Sequence, residues 1–201
     1  MIKFIDCLQG SDEWLQSRCG VVSASNFSKV FTTAGKLSAT RDTLINQLIA
    51  ENLIGAPTEM FKSEAMQRGN DLEPQARAMF EMLMDVEVRE VGFAIHEKHQ
   101  IGCSPDGLFD KTGLEIKCPL GSTHCAYLRK GKLPSAYVQQ VQGTMYLLGL
   151  ESYWFMSFHP DIKPLIIEVQ RDDELIALAE PLLIETAEII KSETDKLRKE
   201  E

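Results

Sequence analysis

The chain has 201 residues, 44% of them hydrophobic and 25% charged, which suits one globular domain with a substantial core and gives no sign of a fibrous or disordered protein. Its formal net charge of −9 excludes a surface coated in basic groups for non-specific nucleic-acid binding. It still permits an enzyme that gathers its cations in one groove. No apolar run approaches the ~20 residues of a membrane helix, and MIKFIDCLQGSDEW has no apolar stretch of signal-peptide length, so one cytoplasmic domain over residues 1–201 is expected.

In chain order, SDEWLQSR reads as a short helix with Ser11 as N-cap and acids in its first turn. SASNFSKVF, from Ser23, reads as a second. SATRDTLINQLIAENLIG carries a helical stripe at Leu44, Ile45, Leu48, Ile49 and Leu53, stopped by Gly55. Residues 63–84 read as a long helix broken near 71–74, because Gly69 and Pro74 disfavour a helix interior. VEVREVGFAI alternates as a strand. QIGCSPDGLFD and TGLEIKCP form a hairpin around residues 110–113. HCAYLRKGKL is a short helix or loop, and SAYVQQVQGTMYLLG a helix ending at Gly149. SYWFMSFHP and KPLIIEVQ are two more strands, and DDELIALAEPLLIETAEIIKSETDKL is a closing helix kinked at Pro181. The expected class is a mixed α/β domain.

The five cysteines (Cys7, Cys19, Cys103, Cys118, Cys125) are odd in number and contain no CxxC, so they read as free thiols. His96, His99 and Cys103 lie close in sequence, but H-x2-H-x3-C matches no structural zinc spacing. A zinc-stabilised binding module is the reading this pattern supports least.

The segment SPDGLFDKTGLEIKCP carries the chemistry. Side chains alternate faces along a strand, so Glu115 and Lys117 share one face while Ile116 takes the other. With the turn centred near 110–111, Asp106 falls almost opposite Glu115. Two carboxylates there, with the Ile116 carbonyl as a further oxygen ligand, form a hard site suited to Mg²⁺ or Mn²⁺. Lys117 could orient a water or stabilise charge on a phosphate. The competing reading is a surface hairpin with an ordinary Glu–Lys pair, worth little energetically. Pro105 and Gly107 on either side of Asp106 tell against it, because they fix the backbone that aims the carboxylate.

Pro105-Asp106 followed by Glu115-Ile116-Lys117 resembles the PD-(D/E)XK nuclease motif. With RCGVVSAS, RGNDLEPQARAMFE, CSPDGL, GLEIKCP and AYVQQVQGTMYLLG in order, the chain resembles the phage lambda exonuclease family, the YqaJ-like viral recombinase nucleases, over most of its length. The resemblance implies a restriction-endonuclease-like core, a mixed central sheet flanked by helices. It implies a 5′→3′ exonuclease on linear double-stranded DNA, cutting the 5′-ended strand and leaving a 3′ single strand for recombination by annealing.

By the same resemblance, Asp106, Glu115, Glu73 and the Ile116 carbonyl hold two Mg²⁺ ions, with Mn²⁺ able to substitute, and Lys117 is the catalytic lysine. Gln140 stands beside the active site, and Gln142 with Tyr146 makes a Q-x3-Y pattern toward substrate. Arg18 and Ser25 form the pocket for the 5′ phosphate, and a helix start near Ser23 and Ser25 would favour such an anion. Met66 is carried over as an apolar wedge against base pairs, although a Met on a helix is ordinarily core. On spacing alone Glu73 reads equally as a solvated helix residue, and Tyr146 as a core aromatic. The partners implied are double-stranded DNA ends, a phage single-strand annealing protein and two further copies in a homotrimer ring, with no membrane, inside a bacterial host. A structure-specific or restriction-type DNA endonuclease and a catalytically inactive DNA-binding subunit are the alternatives.

Overall fold

The computed structural model describes residues 1–57 and 64–199, with only the backbone of residues 65 and 66. Its strands form two four-stranded sheets. β1 (Ile2–Ile5), β3 (Phe93–His96), β4 (Ile101–Cys103) and β2 (Val22–Ser23) make the first, in that order. β5 (Gly107–Phe109), β6 (Thr112–Lys117), β7 (Ser152–His159) and β8 (Ile162–Gln170) make the second. In the second sheet β6 pairs antiparallel with β5 and parallel with β7, so it is interior and hydrogen-bonded on both sides.

The helices are α1 (Asp12–Arg18), α2 (Phe27–Val30), α3 (Arg41–Ile54), α4 (Glu64–Met84), α5 (Gly121–Lys130), α6 (Val138–Leu148) and α7 (Asp173–Lys199). One face of the second sheet presents Leu114, Ile116, Met156 and Phe158 to Ala76 and Phe80 of α4. The other presents Tyr153 to Val141 and Met145 of α6. The largest apolar cluster lies elsewhere, joining α2, α3 and α7 through Phe27, Phe31, Leu44, Leu48 and Leu183. Among the described residues no helix is long and apolar enough to cross a membrane.

The expected break near 71–74 does not occur. α4 runs unbroken through Pro74, whose missing N–H leaves the Asn70 carbonyl without its helical donor. Burial of Ala76 and Phe80 holds the helix together across that defect. α7 likewise continues through Pro181, held by a buried stripe from Leu175 to Thr194. In α3 the expected stripe is buried at Leu44, Ile45, Leu48 and Ile49, but Leu53 is exposed.

The alternating stretch 86–95 is strand only from Phe93, and Arg89 makes an isolated bridge with Leu108. Alternation reports a half-buried extended chain, while a ladder also needs a partner along its length. The expected first arm of the hairpin is divided between the two sheets, with β4 and β5 separated by Ser104–Asp106.

α6 seats against the 24–30 segment at Gly143, where a Cβ would stand 2.1 Å from Cδ2 of Phe27. In an exposed helix Gly→Ala would stabilise, but here overpacking decides the sign. Gly143→Ala is expected to lower stability by about 1–3 kcal/mol in urea unfolding. Phe27→Leu added to it should recover part of the loss, and full additivity of the two losses would count against this contact.

Candidate active site

Turn geometry and strand period together build the site. The two-residue turn at Asp110 and Lys111 sets the register Gly107↔Leu114, which puts Asp106 at the end of β5 beside Glu115. Asp110 takes the left-handed turn conformation (φ 47°), which Asp tolerates. Asp106 is fixed twice: its N–H donates to the Leu114 carbonyl (3.1 Å), and its Oδ2 accepts from the Ile116 N–H (2.6 Å). Gly107 is extended, and the reason for glycine there is proximity, since a Cβ would lie 2.1 Å from Cγ1 of Val88. Pro105 offers its carbonyl to Gln9 Nε2 at 2.9 Å.

Glu115 is 1% exposed on β6. Its Oε1 accepts from the Lys117 ammonium and from Gln140 Nε2 of α6 at 2.5 Å. Its Oε2 is buried with no hydrogen-bond partner among the described residues. A buried carboxylate oxygen left unpaired is costly, and that vacancy of partners fits a hard cation. Asp106 and the Ile116 carbonyl complete an oxygen-rich donor set of the kind divalent Mg²⁺ accepts. Glu73, from α4, lines the same cavity but its Oε1 accepts from Arg77 Nη2 at 2.7 Å, and Arg77 also pairs with Glu90 at 2.6 Å. Among the described residues no three His, Cys, Asp or Glu side chains converge on one metal-sized point. Asp106, Glu115 and the Ile116 carbonyl are the candidate ligands that adjoin one another, and Glu73, held by Arg77, lines the same cavity. His96 and His99 stack at 4.7 Å, but Cys103 is buried in β4 and the three make no zinc site.

Burial, with the Asp106 charge adding to it, pushes the Glu73 carboxyl up to about 7. Burial likewise lifts Glu115 to about 7 against the opposing pull of Lys117, and raises Asp106 against Lys117 and the Ile116 N–H. For Lys117, burial favours loss of the proton, but the Glu115 and Asp106 carboxylates outweigh it and hold the ammonium charged. Its Nζ also lies 5.4 Å over the Tyr137 ring, which stacks on Phe155 at 5.4 Å.

A cavity of about 310 Å³ lies away from these groups, beside α7, whereas one of about 620 Å³ contains them. The larger also contains Arg18, Ser25, Trp14 and Tyr137. Arg18 Nη2 donates to Ser25 Oγ (3.0 Å) and Ser23 Oγ (3.4 Å), and its guanidinium lies 4.1 Å over the Trp14 ring. Trp14 Nε1 donates to Ser104 Oγ at 2.8 Å. Burial lowers Arg18 to about 10, which leaves it cationic at neutral pH. Ser23 opens a three-residue 3₁₀ turn followed by the four-residue α2. The side chains make this polar pocket, because so short an element carries little dipole.

Asp106, Glu115, Lys117, Gln140, Ile116, Glu73, Arg18 and Ser25 thus share one cavity. Gln142 and Tyr146 do not join them. Gln142 Nε2 donates to the Gln170 carbonyl (2.9 Å) and its Oε1 accepts from the Asp172 N–H (2.8 Å), while the Tyr146 hydroxyl donates to Glu180 (2.9 Å). Gln142 thus ties α6 to the chain just ahead of α7, and Tyr146 ties it to α7 itself. At ~100° per residue, Gln142 lies on the side of α6 away from Gln140. The Met66 side chain lies outside the described residues. Sequence reasoning did not single out Trp14, Ser104 or Tyr137. The i, i+4 spacing of Trp14 and Arg18 was the available signal for the first.

Residues 13–151 match the YqaJ-like viral recombinase domain family. Two crystal structures of LHK-Exo, an alkaline exonuclease from Laribacter hongkongensis, are 32% identical to this chain and cover 94% of it and 97% of their own length. Their TM-scores are 0.85, for the complex with dAMP, and 0.84. A phage-related exonuclease from Haemophilus somnus 129PT shares the fold at 21% identity and a TM-score of 0.65, covering 90% of this chain and 96% of its own. No curated protein matches the chain.

The carboxyls give a pH test. Without divalent cation the folded state holds protons on Glu115 and Glu73 up to about pH 7, whereas the unfolded chain releases them near 4.5. The stability this contributes is complete below that lower value and is lost as pH rises through the folded value. In EDTA, the melting temperature should therefore fall between about pH 5 and 8, and Glu115→Gln should flatten the fall. Mg²⁺ should raise the melting temperature more at pH 8 than at pH 5. Parallel pH profiles for wild type and variant would refute the buried-carboxylate assignment.

Proposed function

The chain belongs to the YqaJ-like viral recombinase domain family and has the PD-(D/E)XK fold, and from that premise we propose that it is a Mg²⁺-dependent 5′→3′ exonuclease acting on the ends of linear double-stranded DNA. One observation carries the reading: a buried carboxylate pair, a charged lysine and an arginine–serine pocket open into a single cavity. The exonuclease relatives, 32% identical over nearly the whole chain, support it.

Hydrolysis joins a water oxygen to phosphorus, breaks the bond from phosphorus to the 3′ oxygen, and gives that oxygen a proton. Asp106, Glu115 and the Ile116 carbonyl are the groups that would hold a divalent cation. When bound, it neutralises phosphate charge and lowers the pKa of a coordinated water. The chain's own groups do the rest. Gln140 and Lys117 occupy Oε1 of Glu115, so the carboxylate cannot rotate and Oε2 keeps its aim. Lys117 keeps its proton at Nζ and presents a fixed positive charge to the phosphoryl oxygens as negative charge grows there. Arg18 and Ser25 offer a guanidinium and a hydroxyl to a terminal 5′ phosphate, which would hold the enzyme at an end. The homotrimer ring and the annealing-protein partner belong to the same proposal, and sedimentation of the purified chain tests the ring.

Linear duplex DNA with a 5′ phosphate should be degraded from its 5′ ends in Mg²⁺, and a closed circle should survive. EDTA should abolish the activity, and Lys117→Ala should slow it by about 100-fold or more. Equal cutting of the circle would instead indicate an endonuclease.

A further inference from the structure

Five arginines of the described chain are half-buried: Arg18, Arg41, Arg68, Arg77 and Arg171. Three have a carboxylate partner: Arg41 with Glu185 (3.0 Å), Arg77 with Glu73 and Glu90, and Arg171 with Asp173 (2.7 Å). Arg18 and Arg68 have none within ion-pair distance among the described residues, and both line the candidate active-site cavity. A guanidinium drawn partly out of water without a counter-charge is unfavourable until an anion supplies one.

Arg68 sits on α4, five residues before Glu73. Its Nη1 donates to the carbonyls of Cys118 (2.5 Å) and Pro119 (2.8 Å), the two residues that follow β6. Those bonds use both hydrogens of Nη1 and fix the plane of the guanidinium. They leave Nε and Nη2, with three N–H donors and the full charge, for a ligand. A planar fork held this way matches two oxygens of one phosphate. In a chain of net charge −9, a polyanion can be drawn only to a place where cations are gathered locally.

We propose that Arg68 is a second phosphate-binding residue of the cavity, gripping the sugar-phosphate backbone at the wall formed by α4 and residues 118–120, while Arg18 serves the wall formed by α1. This deepens the nuclease reading and rests on it. The Nη1 contacts give Arg68 a second effect: a phosphate bound there bears on the chain just beyond Lys117, so substrate contact and the catalytic strand are joined through one side chain.

The test measures binding of a 5′-phosphorylated duplex in EDTA across about 50–200 mM salt, for wild type, Arg68→Gln and Arg68→Lys, with the melting temperature of each. Arg68→Gln keeps donors for the carbonyls and loses the charge. It should bind roughly tenfold more weakly, with a salt slope smaller by about 0.9, the value for one phosphate contact. Arg68→Lys should restore the slope. Wild-type slope and affinity in Arg68→Gln would overturn the proposal, as would equal losses in both variants that track a fall in melting temperature, which would mark a structural pin. If wild type degrades linear DNA while Arg68→Gln keeps the wild-type slope, only the Arg68 assignment fails. If wild type binds no duplex at all, the nuclease reading fails with it.

Discussion

A carboxylate buried in the middle of a sheet is the constraint on which the rest of this structure turns. Glu115 is 1% exposed, on a strand paired on both sides, and an isolated ion there would be strongly destabilised. Lys117 and Gln140 compensate one of its oxygens. The other has no partner among the described residues. The packing accepts that cost and leaves one carboxylate oxygen without a protein donor among them, the feature on which the proposed cation site rests. Burial also lifts the carboxyls of Glu115 and Glu73 to about 7, so both are partly protonated at neutral pH, and under the proposed function a cation at Glu115 would compete with its proton.

The architecture builds the site around Glu115 from three directions. β5 and its turn bring Asp106 alongside, α6 lays Gln140 over one face, and α4 covers the other while carrying Glu73 and Arg68 to the rim. The apolar residues of β6 alternate with the charged ones, so the same strand is glued to α4 through Leu114 and Ile116 and presents its chemistry toward α6. Fold stability and site geometry are therefore not separable here. A change that shifts α6 on Phe27 or α4 on the sheet also shifts Gln140 or the strand that carries Glu115.

The charge distribution resolves what the composition left open. An acidic chain gathers Arg18, Arg68 and Lys117 in one cavity with Asp106 and Glu115. Under the proposed function the carboxylates would attract a cation, and the arginines would offset the repulsion that a phosphate otherwise meets.

The sequence alone settles the turn at residues 110–111 and the register across it, although the first arm of the expected hairpin is divided between the two sheets. A two-residue turn and a period of two leave one place for Asp106 relative to Glu115 and Lys117, and local geometry settles all three. It also determined α3, with its Leu44–Ile49 stripe and Gly55 stop, because helix period and capping are local. Other features depended on contacts between residues far apart in the chain. Pro74 reads as a break and Pro181 as a kink, and both helices run on through them because burial on α4 and α7 outweighs one missing hydrogen bond at each. Gln140 and Gln142 are equivalent in the sequence QQVQ, and only the packing of α6 between the second sheet and α7 turns one to the cavity and the other to the Gln170 carbonyl. The proximity of Trp14 to Ser104, and of Arg68 to Cys118 and Pro119, spans 50 to 90 residues. No local rule encodes such distances, and only the tertiary fold brings those side chains together.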